Sequence, residues 1–228
     1  MDENELLIQP DDADGVDLEK LFPLPRKGDR LFKEAPDWNN NLAVDPLKMT
    51  DLQGNRAPEG RWGLYTRGYK RAADILVERL EHELWCDELL YPILYLYAHF
   101  LELELKSLVI GSSAFSESKL GIENLNSCHD LYDLWSKLKN NLQYFYQDCP
   151  SEWVTIVDEC LREFSKHNVR AQAFRYPYDK SGNQTLEKLQ WIDLDNFKET
   201  MTRISNFLLS VDNAIGQEHE WRNELSSF

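Results

Sequence analysis

Apolar side chains recur every three or four residues over most of the chain after residue 64, a spacing typical of amphipathic helices. Segment 64–84 predicts a first helix and segment 90–110 a second, with Pro92 accommodated in its first turn. The second segment is apolar over most of its circumference. We therefore expect it to be the central and most buried helix.

A third helix is predicted to open within the segment NSCHDLYDLWSKL, residues 126–138. Ser127 and Asp130 have the spacing of a capping box, in which each side chain bonds a free amide at the helix start. The expected inward stripe consists of Leu131, Leu134, Trp135 and Leu138.

Two further helices are predicted after Pro150 and from about residue 194. In the fourth helix the residues expected to face inward are Trp153, Ile156, Val157, Cys160, Leu161 and Phe164. In the fifth they are Phe197, Met201, Ile204, Leu208, Val211 and Ile215, whose alternating steps are typical of a helix–helix seam. Apart from an extended piece at 186–194, strand patterns are weak, so the sequence predicts an all-α, up-and-down bundle of about five main helices over residues 61–228.

Residues 1–60 break this pattern and predict an irregular N-terminal arm. The segment holds six of the nine prolines, which resist helix interiors, and it carries 14 acidic against 7 basic side chains. Apolar anchors such as Phe22 and Trp38 distinguish it from a purely solvated tail. We expect an arm that is partly disordered and partly wraps over the bundle or a partner.

Composition narrows the function classes. The net charge of −15 disfavours loose binding to nucleic acid, because neutralising phosphates needs a basic surface. No run approaches 18 apolar residues and the first residues are acidic, so we expect a cytoplasmic protein without membrane association. The four cysteines lack metal-ligand spacing, which favours free thiols and predicts neither a metal nor another cofactor.

Polar residues at steps of four, three and four follow one face of the second predicted helix. Tyr95, His99, Glu102 and Lys106 form this line, and the last two have the spacing of an ion pair. One interpretation is the solvent-facing edge of the helix. The other is a polar stripe in a helix–helix groove or dimer seam, where His99 titrates near neutral pH.

Other candidate residues lie near the ends of predicted helices. His129 falls in the predicted first turn of the third helix, where it either caps and packs or makes one hydrogen bond in its neutral form. Arg162 and His167 lie five residues apart, about 140° around a helix, so they converge only if the helix ends or bends. Otherwise they are two solvated cations near a helix end.

The segment AFRYPYDKSG, residues 173–182, predicts a turn at a stiff exit from the fourth helix. Proline at 177 restricts Tyr176 to an extended conformation, and the guanidinium of Arg175 suits a phosphate or a carboxylate. Asp179 and Lys180 are adjacent charges that can pair with each other at the surface.

Three segments in this order resemble the HEPN superfamily of helical domains associated with nucleotides and RNA. They read HFLELELK at 99–106, HDLYDLW at 129–135 and FRYP at 174–177, and the resemblance covers roughly residues 65–215. It implies a helical bundle, frequent homodimers, and a toxin–antitoxin or antiphage defence system with a protein partner from the same operon.

The resemblance also implies two functions. Many members cleave RNA without a metal by an arginine followed four to six residues later by a histidine, which corresponds here to Arg162 and His167. If Arg175 is the counterpart instead, no histidine follows before residue 219. We therefore expect a non-cleaving relative that binds nucleotide, RNA or a partner through Arg175, Tyr176, His99, Glu102, Lys106 and His129; the alternatives are the ribonuclease and a plain helical adaptor.

Overall fold

The computed structural model describes residues 58–80, 87–116, 125, 127–167, 173–187 and 191–226, which belong to one compact unit. These residues form five α-helices, and no strand occurs within these ranges. The helices are α1 Pro58–Leu80, α2 Leu90–Ser113, α3 Leu131–Phe145, α4 Ser151–His167 and α5 Leu194–Ser226. A short 3-10 turn, Asp87–Leu89, leads into α2. The prediction of an all-α bundle with five main helices is confirmed.

Helix α2 is the centre of the bundle, as its apolar circumference predicted. It packs against α1, α3 and α5, and Leu101, Leu105 and Val109 on it are fully buried. From α1 the residues Ala73 and Val77 reach the same core. A helix surrounded by three others buries several faces, which explains why its apolar positions do not form a single stripe.

Helix α3 begins three residues later than the predicted capping box places it. Asp130 is the N-cap, and its carboxylate accepts a hydrogen bond from the backbone N–H of Asp133 at 2.9 Å. Ser127 lies in a turn before it, so the proposed Ser127–Asp130 box is wrong. The expected inward stripe is confirmed, because Leu131, Leu134, Trp135 and Leu138 are all buried.

Helix α4 turns a narrower face to the core than its sequence indicated. Val157, Leu161 and Phe164 are buried, whereas Trp153 and Ile156 are 49% and 50% exposed, so the prediction that those two face inward is wrong. The apolar arc of α4 is wider than the surface that its neighbours cover. Packing selects one side of such an arc, and periodicity alone does not say which.

Helix α5 closes the bundle along its predicted seam. Five of the six seam residues are buried, and Phe197 is partly buried against the core. The helix packs on α1, α2 and α3. Its buried residues are Met201, Ile204, Leu208, Val211 and Ile215, together with Phe207.

The turn predicted at 173–182 is present, although it does not directly end a helix. Helix α4 ends at His167, and the residues from Ala173 onward form turns with one isolated antiparallel bridge, Tyr178 to Gln184. The extended piece predicted at 186–194 is not a strand at those of its positions that the structure describes.

The predicted arm, residues 1–60, lies outside the described residues except for its last three positions. Those positions belong to α1, which begins at Pro58, three residues before the predicted start of the bundle at residue 61. Among the helices described, none has the length and apolar character needed to cross a membrane.

Candidate functional site

A buried ion pair lies on the polar face of α2. The Nζ of Lys106 donates to Oε1 of Glu102 at 2.8 Å, and the two residues are 5% and 8% exposed. The interpretation of this face as a solvated helix edge is therefore wrong for both residues. A charged pair this deep requires good geometry and further hydrogen bonds to offset the loss of hydration.

His129 supplies one of those further hydrogen bonds. Its Nδ1 lies 2.9 Å from the same Oε1 atom of Glu102, and its side chain is 56% exposed. Since an ionised carboxylate only accepts hydrogen bonds, Nδ1 donates in this contact, and Nε2 is the second hydrogen-bonding nitrogen of a largely exposed ring. The residue precedes the N-cap of α3, so its predicted place inside the first helical turn is wrong, while a single hydrogen bond to a neighbour is found.

His99 lies half-buried between two tyrosine rings. Tyr69 on α1 meets it edge-on with ring centroids 4.4 Å apart, and Tyr95 stacks on it at 5.8 Å. Burial lowers the pKa of His99 below its ordinary value, and although Glu102 opposes this, the nearby cations reinforce it. The imidazole therefore favours its neutral form.

Arg175 reaches this cluster from the turn that follows α4. Its guanidinium carbon lies 5.9 Å from the ring centroid of Tyr95 and 5.4 Å from that of Tyr176, distances typical of cation–π contacts. It is also one of the cations whose charge lowers the pKa of His99. The predicted ligand-binding residues thus follow one line of α2 in two contact groups, one around Glu102 and the other around Tyr95. We call His99, Glu102, Lys106, His129 and Arg175 the α2 polar cluster.

A closed turn holds Arg175 in place. The hydroxyl of Thr185 donates to the carbonyl oxygens of Ala173, at 3.1 Å, and Tyr176, at 2.7 Å, which joins the two ends of the segment. At its tip the carboxylate of Asp179 accepts from the backbone N–H groups of residues 181 and 183. Asp179 thus bonds the backbone of its own turn, and the pairing with Lys180 is not found.

The turn also bounds a concave surface next to the α2 polar cluster. A cavity of about 340 Å³ is lined by Tyr91, Arg175, Tyr176 and neighbouring residues of the turn. Tyr91 was missed in the sequence, although it lies four residues before Tyr95 on the same face of α2. Tyr69 was missed as well, and nothing in the spacing of α1 could indicate that it meets His99.

Arg162 is bound within the fold. Its guanidinium donates to the carboxylate of Asp158 at 2.7 Å and to the hydroxyl of Tyr132 on α3. The same carboxylate accepts from Lys139 and from the indole of Trp135. Burial alone would raise the pKa of Asp158, but hydrogen bonds from the two cations and the indole hold it well below its ordinary range. Arg162 therefore helps to join α4 to α3.

His167 lies apart from Arg162. Helix α4 is continuous to His167, so the two side chains point about 140° apart, and they line different cavities. Within one chain the structure does not bring this pair together. A shared catalytic role stays a prediction.

Metal ligands are not grouped in the described part of the chain, where no set of three histidine, cysteine or acidic side chains could hold an ion. No family model, curated protein or solved structure matches the chain. The resemblance to the HEPN superfamily therefore stays a prediction that depends on the three quoted segments.

Proposed function

We propose that this chain is a HEPN-like helical protein that binds the phosphate of a nucleotide at the α2 polar cluster. One observation carries the proposal: Glu102 accepts from both Lys106 and His129, and the exposed Arg175 lies over the ring of Tyr95 on the same line of α2, close enough for its charge to lower the pKa of His99. Burying these charged side chains costs hydration energy. Buried polar groups that carry such a cost are often found at functional sites.

The charges of the cluster favour an anion. Lys106 is balanced by Glu102, so the uncompensated positive charge belongs to Arg175, and the largely exposed ring of His129 adds a hydrogen-bonding nitrogen. The planar guanidinium fork can bind two oxygens of a phosphate at once. The net charge of the whole chain is −15, so attraction to the ligand has to come from this local group.

The neighbouring aromatic rings favour a nucleotide over free phosphate. Tyr91 and Tyr176 are both more than half exposed and border the cavity of about 340 Å³, a volume at the lower end of small-molecule sites. Tyrosine rings offer faces on which a base can stack. In this proposal the base enters the cavity and the phosphate contacts Arg175.

The proposal takes its biological setting from the HEPN resemblance alone. On that basis we propose that the chain is a cytoplasmic component of a toxin–antitoxin or antiphage defence system. We also propose that it forms a homodimer.

Titration calorimetry with adenosine 5′-monophosphate, adenosine and inorganic phosphate tests the proposed site. We expect the monophosphate to bind more tightly than either part. Replacing Arg175 with alanine removes charge-assisted hydrogen bonds worth about 1.5–3 kcal/mol, and so weakens binding roughly ten- to a hundredfold. Arg203→Ala is the matched control, because Arg203 is also exposed but pairs with Glu199 on α5.

Two results would contradict the proposal. One is the absence of binding by any of the three compounds to nucleotide-free protein. The other is an equal loss of affinity in Arg175→Ala and Arg203→Ala, which would show that only the net charge matters.

A further inference from the structure

Helix α4 presents an apolar row to solvent. Trp153 and Ile156 are about half exposed, and Cys160 follows them as a partly buried residue. Steps of three and four place the three side chains in one line along the helix. The bundle core uses the neighbouring row, Val157, Leu161 and Phe164.

An acidic row runs beside this apolar row. Glu152, Glu159 and Glu163 are exposed and lie on one side of the line from Trp153 to Cys160. Their closeness also raises the pKa of the Cys160 thiol, which burial raises first and the carboxylates of Glu163 and Glu159 raise further. In the ranges that the structure describes, no ion pair neutralises these three carboxylates.

Both rows lead into a cavity between α4 and α5. The cavity measures about 350 Å³, and its apolar lining includes Phe197 and Met201 of α5. Glu163 and Asp193 add acidic groups to the lining, and Trp191, another lining residue, is 91% exposed. We call the apolar row, the acidic row and this cavity the α4–α5 groove.

We propose that the α4–α5 groove binds one basic amphipathic helix of a partner protein. An apolar row on that helix would lie over Trp153 and Ile156 and place one side chain in the cavity, as amphipathic helices do in apolar grooves. Lysine or arginine beside that row would face the three carboxylates. From Trp153 to His167 the groove is about 21 Å long, so it accommodates roughly four turns of a partner helix.

Charge complementarity favours this occupant over a second copy of the chain. Two copies meeting through α4 would bring one row of glutamates against another, and like charges facing each other oppose association. A basic helix instead gains electrostatic attraction at the groove. The net charge of −15 extends that attraction beyond the groove and speeds association at low salt.

The test uses two synthetic 18-residue helical peptides with leucine at positions i, i+3, i+4 and i+7. One carries lysine at the flanking positions and the other glutamate. Fluorescence anisotropy of labelled peptide, measured with the full-length protein, should show at least tenfold tighter binding of the lysine peptide.

Charge reversal assigns the binding to the groove. Glu159→Lys combined with Glu163→Lys should weaken binding of the lysine peptide at least tenfold and strengthen binding of the glutamate peptide. The matched control combines Glu220→Lys with Glu224→Lys, which makes the same charge change at the same spacing, on two exposed positions of α5 away from the groove. Trp153→Ala should weaken binding of the lysine peptide to the wild-type groove and of the glutamate peptide to the charge-reversed groove. Nucleotide binding at the α2 polar cluster should be unchanged in all these variants.

Three results would overturn the proposal. The first is equal loss of lysine-peptide binding in the groove pair and the control pair. The second is a dimer in light-scattering measurements that Trp153→Ala converts to a monomer, which would make a second copy the occupant. The third is a crosslink from the α4 face to a segment of the same chain outside the described ranges.

Discussion

Glu102 accepts hydrogen bonds from two basic side chains in a place that little solvent reaches. Its carboxylate is the only group shown to contact both Lys106 and His129 among the residues described. The environment of both basic side chains therefore depends on Glu102. Replacing Glu102 separates the contribution of the Glu102–Lys106 pair to stability from the contribution of the same pair to binding.

We expect Glu102→Leu to lower the free energy of unfolding by about 3–5 kcal/mol, because Lys106 would be left buried without a counter-charge. Adding Lys106→Met should restore most of that loss, since an apolar pair of similar volume avoids the cost of burying charges. Urea unfolding followed by circular dichroism measures both. A double variant as unstable as the single one would show that the charges themselves stabilise the fold.

His99 should make stability depend on pH below neutrality. Its folded-state pKa lies below the unfolded value of about 6.5, so the unfolded chain binds the proton first. Its contribution is complete above pH 6.5 and is lost as pH falls from there through the folded-state pKa, with a slope of at most about 1.4 kcal/mol per pH unit.

Unfolding of His99→Gln between pH 5 and 7 checks this expectation, with His167→Gln as the control. The His99 variant should lose part of the slope that the wild type and the control share. Proton NMR of the histidine rings should assign to His99 a resonance that titrates below pH 6.5. A His99 resonance titrating above that value would contradict the stated direction.

At the scale of elements, the start of α3 depends on one side chain. Asp130→Ala should lower the free energy of unfolding by about 0.5–2 kcal/mol, because the N–H of Asp133 loses its acceptor. Ser127→Ala should change it by less than about 0.5 kcal/mol, as is usual for exposed positions. Thermal unfolding of both variants decides which residue caps the helix, and a larger effect at Ser127 would restore the capping box.

The helices also show which features the periodicity of a sequence predicts and which it does not. The line of His99, Glu102 and Lys106 follows from steps of three and four on one helix, and the structure keeps it. The inward orientation of Trp153 does not follow in the same way, because an apolar residue says only that burial is favourable. The contact of Tyr69 with His99 depends on how α1 crosses α2, which no spacing within either helix specifies.

For the whole molecule, the fold class can be predicted because apolar side chains recur at the helical period in five long segments. All five segments contribute residues to the core. The contact of Arg175 with Tyr95 could not be predicted in this way, since it requires a turn to fold back over a residue 80 positions earlier in the chain. The net charge also affects basic and anionic partners differently. A chain with a net charge of −15 attracts basic partners over distance but admits an anion only where cations are concentrated.

The Thr185 hydroxyl bridges the two ends of the 173–187 turn next to Arg175, and the backbone N–H of Thr185 donates to the carbonyl oxygen of Pro177 just beyond it. Gly182, with a φ of +82°, and the Asp179 carboxylate organise only the tip. The tip is therefore an attachment point that leaves the anchor intact. A fluorophore attached at position 180 would lie on the same rigid turn as the guanidinium and would report ligand arrival without occupying the site.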